Sequence, residues 1–277
     1  MNTAEPINFL DFKITDQEFA LFRKLIYEKA GISMADTKQG LVQGRLTKRL
    51  RYFELRSFRE YYDLVHADTE GTEMQMLVDL LTTNETYFYR EQKHFDFIAE
   101  TIFNDFNPSI ALNIWSAACS SGEEPYSIAM LLADKLGIHA NWDILATDLN
   151  QQMLSYAKRG LYPMTAASKI PQQYLRTSCL KGTGQYSEFF MLDRALKSKI
   201  DFRQVNLNAE WEYLCPFDLI VLRNVMIYFN TETRKQLVER IAAKLKPNGY
   251  LFISHAETLS GVSDRFTCIR PAIYRLK

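Results

Sequence analysis

The hydrophobic period of this chain changes near residue 107, and that change limits what it can fold into. Up to about residue 105 apolar residues recur at helical spacing, with little that reads as strand. Beyond Asn107-Pro108, short β-rich runs at 112–116, 142–147, 217–222, 250–254 and 272–276 alternate with helical stretches at 123–136, 150–159 and 231–245. Such alternation argues for a parallel sheet covered on both faces. Ligands bind such sheets beyond the carboxyl ends of the strands, so the residues that follow each strand carry the most information.

In the first half, Thr15 with Glu18 forms a capping box, Phe19, Phe22 and Ile26 make the apolar stripe, and Gly31 supplies the stop. A second helix is predicted from about Thr37, with Val42, Leu46, Leu50 and Phe53 inward. Ser57 with Glu60 opens a third through Tyr61, Leu64 and Val65, and Met74, Leu77, Val78 and Leu81 mark a fourth. The predicted organisation is an all-helical domain over 1–81, a linker over 82–90, and a sheet domain over 91–277. A small antiparallel β-subdomain is expected inside the latter at about 174–205, where the Lys181-Gly182-Thr183-Gly184 turn and the runs 186–192 and 200–205 break the rhythm.

Composition excludes several classes. With 33 Lys plus Arg against 33 Asp plus Glu, attraction to a polyanion has to come from local clustering. Cys119, Cys179, Cys215 and Cys268 stand far apart without a CxxC pair, and the four histidines lack HxxxH spacing, which argues against a disulfide frame or a metal site. No apolar run reaches the roughly 18 residues of a membrane span, and the opening MNTAEPINFLDFK lacks the regions of a signal peptide. A soluble, cytoplasmic protein is expected.

The first strand runs into Ser116-Ala117-Ala118-Cys119-Ser120-Ser121-Gly122-Glu123-Glu124. Small residues let a ligand approach the backbone, while the acid pair would repel a pyrophosphate and attract a sulfonium or ammonium; two acids favourably placed at a helix N-terminus are the alternative. Asp148 follows the second strand, where an acid can bridge ribose hydroxyls or cap the next helix. Arg223 and Asn224 follow the third, with Tyr228 within a turn. The linker Thr82-Thr83-Asn84-Glu85-Thr86-Tyr87-Phe88-Tyr89-Arg90 is unusually rich in hydrogen-bonding side chains.

Together these segments resemble the CheR family of chemotaxis receptor methyltransferases. The match is carried by Thr82-Thr83-Asn84-Glu85-Thr86 with Phe88 and Arg90, by Trp115 through Ser127, by Ala146-Thr147-Asp148-Leu149, and by Arg223-Asn224-Val225-Met226-Ile227-Tyr228-Phe229. The resemblance implies an N-terminal all-helical domain followed by a Rossmann-like methyltransferase domain of the α/β class. It implies methyl transfer from S-adenosylmethionine to receptor glutamates, giving glutamate methyl esters and S-adenosylhomocysteine. By that similarity Asn84, Thr86, Arg90, Glu123, Asp148, Asn206, Leu207, Arg223 and Asn224 line the cofactor, and Arg90 and Tyr228 stand nearest the methyl group. The implied partner is the cytoplasmic domain of chemotaxis receptors at membrane clusters; a monomer that uses no metal, binds no nucleic acid and does not insert into the membrane is expected. Some family members dock a C-terminal receptor peptide on the inserted sheet, and this insert is a candidate for the same contact.

Two rivals share the fold. Methyltransferases of amino groups often carry an Asn/Asp-Pro-Pro-aromatic segment, which Arg223-Asn224-Val225-Met226 is not; a receptor-binding adaptor would not bind cofactor. Between Lys38 and Arg59 the sequence holds seven basic residues and one acid, Glu54. At about 100° per residue, Lys38, Arg45 and Arg49 share one face beside the apolar stripe, so an exposed basic stripe for an anionic receptor helix is expected.

Overall fold

The computed structural model describes residues 12–102, 107, 109–211 and 213–277. The first eleven residues, which carry most of the opening that lacks signal-peptide features, and Pro108 of the boundary lie outside them. The chain divides into two compact units, Met1–Thr83 with Tyr228–Asn230, and Asn84–Ile227 with Thr231–Lys277.

The first unit is helical: α1 (Asp16–Ala30), α2 (Gln39–Tyr52), α3 (Phe58–Ala67) and α4 (Thr72–Leu81). Thr15 caps α1 in a complete capping box with Glu18, and Gly31 ends it at φ 72°, donating its N–H to the Tyr27 carbonyl. The Ser57 hydroxyl accepts from Glu60 N, but the Glu60 carboxylate reaches Arg56 N, so the second box is half-formed. Val42, Leu46 and Leu50 are buried at successive turns of α2, and Phe22 lies between the Tyr61 and Tyr62 rings. Tyr228–Asn230 joins this unit: Ser33 N donates to the Tyr228 carbonyl at 2.7 Å, and Asn230 Nδ2 donates to the Tyr27 hydroxyl at 2.9 Å.

The expected basic stripe is only partly exposed. Arg49 donates from Nε and Nη2 to both oxygens of Glu73 at 2.8 and 2.6 Å, the Tyr61 hydroxyl donates to the same carboxylate at 2.7 Å, and the Arg49 and Glu73 side chains are 16% and 10% exposed. Arg45 donates to the Thr82 carbonyl and the Thr83 hydroxyl at 2.9 and 3.2 Å. Helical spacing places these residues on one face but does not reveal that α4 brings an acid to meet Arg49. Lys38, Lys48, Arg51 and Arg56 remain exposed.

The second unit begins with α5 (Gln92–Phe97), continued by a π turn (Ile98–Ile102), and then alternates β1 (Leu112–Ala117), α6 (Glu123–Leu136), β2 (Trp142–Asp148), α7 (Gln151–Arg159) and β3 (Leu161–Pro163). Then come α8 (Met164–Ala167), α9 (Gln172–Ser178), β4 (Cys179–Lys181), β5 (Phe189–Leu192), α10 (Arg194–Lys197), β6 (Ile200–Gln204) and β7 (Phe217–Leu222). The chain closes with α11 (Thr231–Lys244), β8 (Leu245–Ile253), β9 (Phe266–Arg270) and β10 (Ile273–Leu276). Seven strands form one sheet in the order β6-β2-β1-β7-β8-β10-β9. The first five are parallel and β10 and β9 antiparallel, so the sheet is mixed at one edge rather than parallel throughout. The architecture is Rossmann-like, with a second, three-stranded antiparallel sheet in the order β3-β5-β4.

That small sheet differs from its predicted extent. It takes β3 from residues upstream of 174, and the run at 200–205 supplies β6, which pairs parallel with β2 at the edge of the large sheet. A short alternating run such as Ile200-Asp201-Phe202 suits either sheet, because period two reports one buried face and not the partner.

Breaking the Arg49–Glu73 pair from one side leaves a carboxylate in a largely apolar setting beside Tyr61. Arg49→Ala is expected to cost about 3 kcal/mol in urea unfolding, whereas exposed Lys48→Ala should stay within about 0.5 kcal/mol. Equal midpoints for the two variants would show that the pair contributes no more than a surface contact.

Candidate active site at the strand ends

Register sets the site. Ala117 of β1 pairs with Thr147 of β2 and with Leu222 of β7, and Leu222 pairs with Ile253 of β8. The residues that follow, Ala118, Asp148, Arg223 and Ser254, therefore leave the sheet on one row. The chain passes from β1 to β2 on one side and reaches β7 on the other, so the row spans the switch point where open α/β sheets bind ligands.

The loop after β1 turns sharply, with Ala118 at φ 64°, Ser120 at 50° and Gly122 at 96°. Tyr89, Glu91 and Asn224 are also left-handed, at 57°, 60° and 56°. Each such non-glycine residue costs roughly 1 kcal/mol, and strain of this kind persists where the surroundings impose it. Here the imposing contacts are specific. Cys119 N donates to the Thr147 carbonyl and Ser120 N to Asp148 Oδ2, both at 2.8 Å. A Cβ on Gly122 would stand 2.8 Å from the Ala157 Cβ and 3.0 Å from the Tyr162 hydroxyl, so only glycine lets α6 start this close to α7.

Asp148 ends β2, buried, and its other oxygen accepts from Asn150 N at 2.8 Å. It is not the helix cap of the alternative reading: Asn150 caps α7, accepting from Met153 N at 3.0 Å. The acid pair separates in role. Glu124 accepts from the Ser116 hydroxyl at 2.6 Å and lies 3.3 Å from Arg223 Nε. Glu123 accepts from the Ser121 hydroxyl at 2.6 Å, and no basic side chain among the described residues pairs with it. Burial raises its pKa, opposed only by hydrogen bonds. A buried carboxylate in that state gains from a cationic ligand, and the ammonium and sulfonium of S-adenosylmethionine carry the charge that fits it.

Residues 84–90 of the linker run along this rim. Asn84 O accepts from the Ser120 hydroxyl at 2.9 Å, Tyr89 N donates to the Ser127 hydroxyl at 3.0 Å, and Phe88 is buried against the Tyr162 and Phe190 rings. Thr86 is half-buried, and Arg90 is held inside the linker, donating from Nη1 to the Glu85 carbonyl at 2.8 Å. Beyond β6, Asn206 Oδ1 accepts from Asn208 N at 2.9 Å, and the carbonyl of buried Leu207 accepts from Arg240 Nη2 at 2.8 Å. Asn224 Nδ2 donates to the Ser254 hydroxyl at 2.8 Å. Tyr228, Lys38, Arg45 and Arg49 belong to the helical unit.

Sequence reasoning missed Glu91, His94, Ser254 and Glu257. Glu257 accepts from Ser254 N at 2.9 Å, Asn224 N at 3.3 Å and Ile227 N at 3.2 Å, fixing the turn after β7. Burial raises its pKa against these N–H donors. The signal was present: Ser254-His255-Ala256-Glu257 directly follows a strand.

The chain is an S-adenosylmethionine-dependent methyltransferase, and the doubly wound sheet with a sharp small-residue turn after β1 and acids at two neighbouring strand ends is in keeping with that class. The chain belongs to the CheR methyltransferase family: residues 84–274 match its S-adenosylmethionine-binding domain and residues 17–82 its all-alpha domain. It is 38% identical over 266 residues to chemotaxis protein methyltransferase 2 of Pseudomonas aeruginosa, covering 95% of this chain and 94% of that one. It is 37% identical over 265 residues to the chemotaxis protein methyltransferase of Escherichia coli, covering 95% and 92%, and 36% identical over 287 residues to that of Borreliella burgdorferi, covering 99% of each. The protein is thus a methyltransferase enzyme of chemotaxis. No described helix is long and apolar enough to cross a membrane.

Gly122→Ala combines a disfavoured φ with the close approach to Ala157. A lower melting temperature and weaker S-adenosylhomocysteine binding are expected together. Parental values for both would show that the loop relaxes without harm to the rim.

Proposed function

We propose that this protein transfers a methyl group from S-adenosylmethionine to glutamate side chains in the cytoplasmic domain of chemotaxis receptors. The cofactor half of this reading rests on Glu123, buried and with no basic partner among the described residues, one strand end away from Asp148; the receptor half rests on the match to chemotaxis protein methyltransferases. The cofactor supplies an electrophilic methyl on a positively charged sulfur. A glutamate with pKa near 4.3 is already ionised at neutral pH, so no general base is needed. A carbon–oxygen bond forms as the carbon–sulfur bond breaks, the sulfur keeps the electron pair, and no proton moves. Opposite charges vanish as they combine, so a cleft that excludes water and fixes both partners favours the transition state.

In this reading Glu123 takes the ammonium of the methionine part, Asp148 the ribose, and Asn84, Thr86, Asn206, Leu207, Arg223 and Asn224 complete the pocket. Arg90 and Tyr228 orient the incoming carboxylate. The exposed cations Lys38, Lys48, Arg51 and Arg56 meet the anionic receptor helix, with Arg45 at their edge. Arg49, spent on Glu73, supports this surface from beneath. A C-terminal receptor peptide docks on the small antiparallel sheet, bringing the monomeric enzyme from the cytoplasm to receptor clusters at the membrane.

Asp148→Ala is expected to weaken S-adenosylhomocysteine binding by roughly 1.5 to 3 kcal/mol in calorimetry; unchanged affinity in the folded variant would reduce Asp148 to tying the β1 loop. Arg90→Ala and Tyr228→Phe should lower turnover at saturating cofactor far more than they change its affinity. Loss of affinity with normal turnover would reverse those roles.

Lys48→Glu with Arg51→Glu should slow receptor methylation most at low salt and spare cofactor affinity. Parental rates at low ionic strength would return these cations to a solvated face.

A further inference from the structure

Next to Arg90 stands a group of side chains with no assigned part in the reaction. Glu91, left-handed at φ 60°, precedes α5 and points its carboxylate at three elements. Its Oε1 accepts from the Ser254 hydroxyl at 2.8 Å and from His255 N at 3.4 Å, at the end of β8. Its Oε2 lies 3.1 Å from His255 Nδ1, 3.5 Å from His94 Nδ1 and 3.7 Å from Arg223 Nε. The Arg223 side chain is 4% exposed and lies between Glu91 and Glu124.

His94 closes the group from behind. Its side chain is 2% exposed, stacked between the Phe252 and His255 rings, and neither ring nitrogen has a hydrogen-bond partner. Burial and then the charge of Arg223 push its pKa down to about 3, so it is neutral and the anion and cation in front of it are not diluted by a third charge. For Glu91 the cost of burial is outweighed by Arg223 and the hydrogen bonds, and its pKa is lowered. The left-handed backbone of Glu91 sets its carboxylate 3.7 Å from a buried guanidinium, a contact of opposite charges in which neither Glu91 Oε2 nor Arg223 Nε has a hydrogen-bond partner among the described residues, and such an arrangement positions rather than merely packs.

We propose that Glu91 is a positioning residue for methyl transfer, holding Arg223 and the end of β8 in the geometry that binds the cofactor. The proposal rests on the reading of Arg223 as a cofactor contact. Glu91→Gln preserves shape and the acceptor for Ser254 while removing the charge that faces Arg223. S-adenosylhomocysteine affinity should fall roughly tenfold, and the effect should vanish when Arg223→Gln is already present, since the residue through which Glu91 acts has then lost its charge.

The four proteins of this double-mutant cycle are measured by calorimetry, with melting curves as a check on folding. Non-additive losses support the proposal. Parental affinity in Glu91→Gln, or losses that multiply in the double variant, would overturn it. Parental affinity in Arg223→Gln would instead remove the reading on which it rests. If Glu91→Gln does not fold, Glu91→Asp keeps the charge but draws it back from Arg223 and should weaken affinity severalfold, by less in the Arg223→Gln background; additive losses there would also overturn the proposal. The ligand atoms of Glu91, His94 and His255 all lie within 4.8 Å of one another. Loss of affinity on treatment with a chelator would therefore reassign the group to a metal and overturn the positioning role.

Discussion

Parallel pairing in one register is the constraint on which the active site depends. Because Ala117, Thr147, Leu222 and Ile253 stand level, four segments of unrelated sequence deliver their next residues to one rim. A one-residue slip at β2 would move Asp148 to the other face of the sheet and detach it from Ser120 N. Register is held by burial on both faces of the central strands and by contacts such as Trp115 Nε1 to the Thr147 hydroxyl at 2.9 Å, which ties β1 to β2 close to the site.

The rim that results is rich in buried and half-buried carboxylates, settled in three ways. Glu257 is satisfied by backbone N–H groups and Asp148 accepts two more, Glu124 and Glu91 share Arg223, and Glu123 has only hydroxyl and backbone donors. Uncompensated burial of a carboxylate is expensive. Among the described residues Glu123, Asp148 and Glu257 form no ion pair with a basic side chain, and of the three Glu123 accepts the fewest backbone N–H groups, which makes it the proposed seat of the positively charged ligand.

Much of this was legible in the sequence. Helix caps at Thr15 and Gly31, the strand–helix alternation after residue 107 and the acids after β1 and β2 follow local rules that hold whatever the partners. Contacts between distant residues were not legible. Arg49 reads as a surface cation until α4 brings Glu73 to it, and Ile200–Gln204 reads as part of an appendage until β2 offers an edge. Strand β9 was missed because four of its five residues are exposed and leave little apolar signal. Glu91 and Glu257 looked like ordinary charges because their role is to organise backbone and a neighbouring arginine, which spacing does not encode.

Substrate chemistry is the direct test. The purified protein, incubated with S-adenosylmethionine carrying a deuterated methyl group and with cytoplasmic fragments of chemotaxis receptors, would be followed by peptide mass spectrometry. Methylation of receptor carboxylates predicts label on glutamate residues that is lost in mild alkali, as an ester must be. Absence of label with bound cofactor, or alkali-stable label on lysine or arginine, would contradict it.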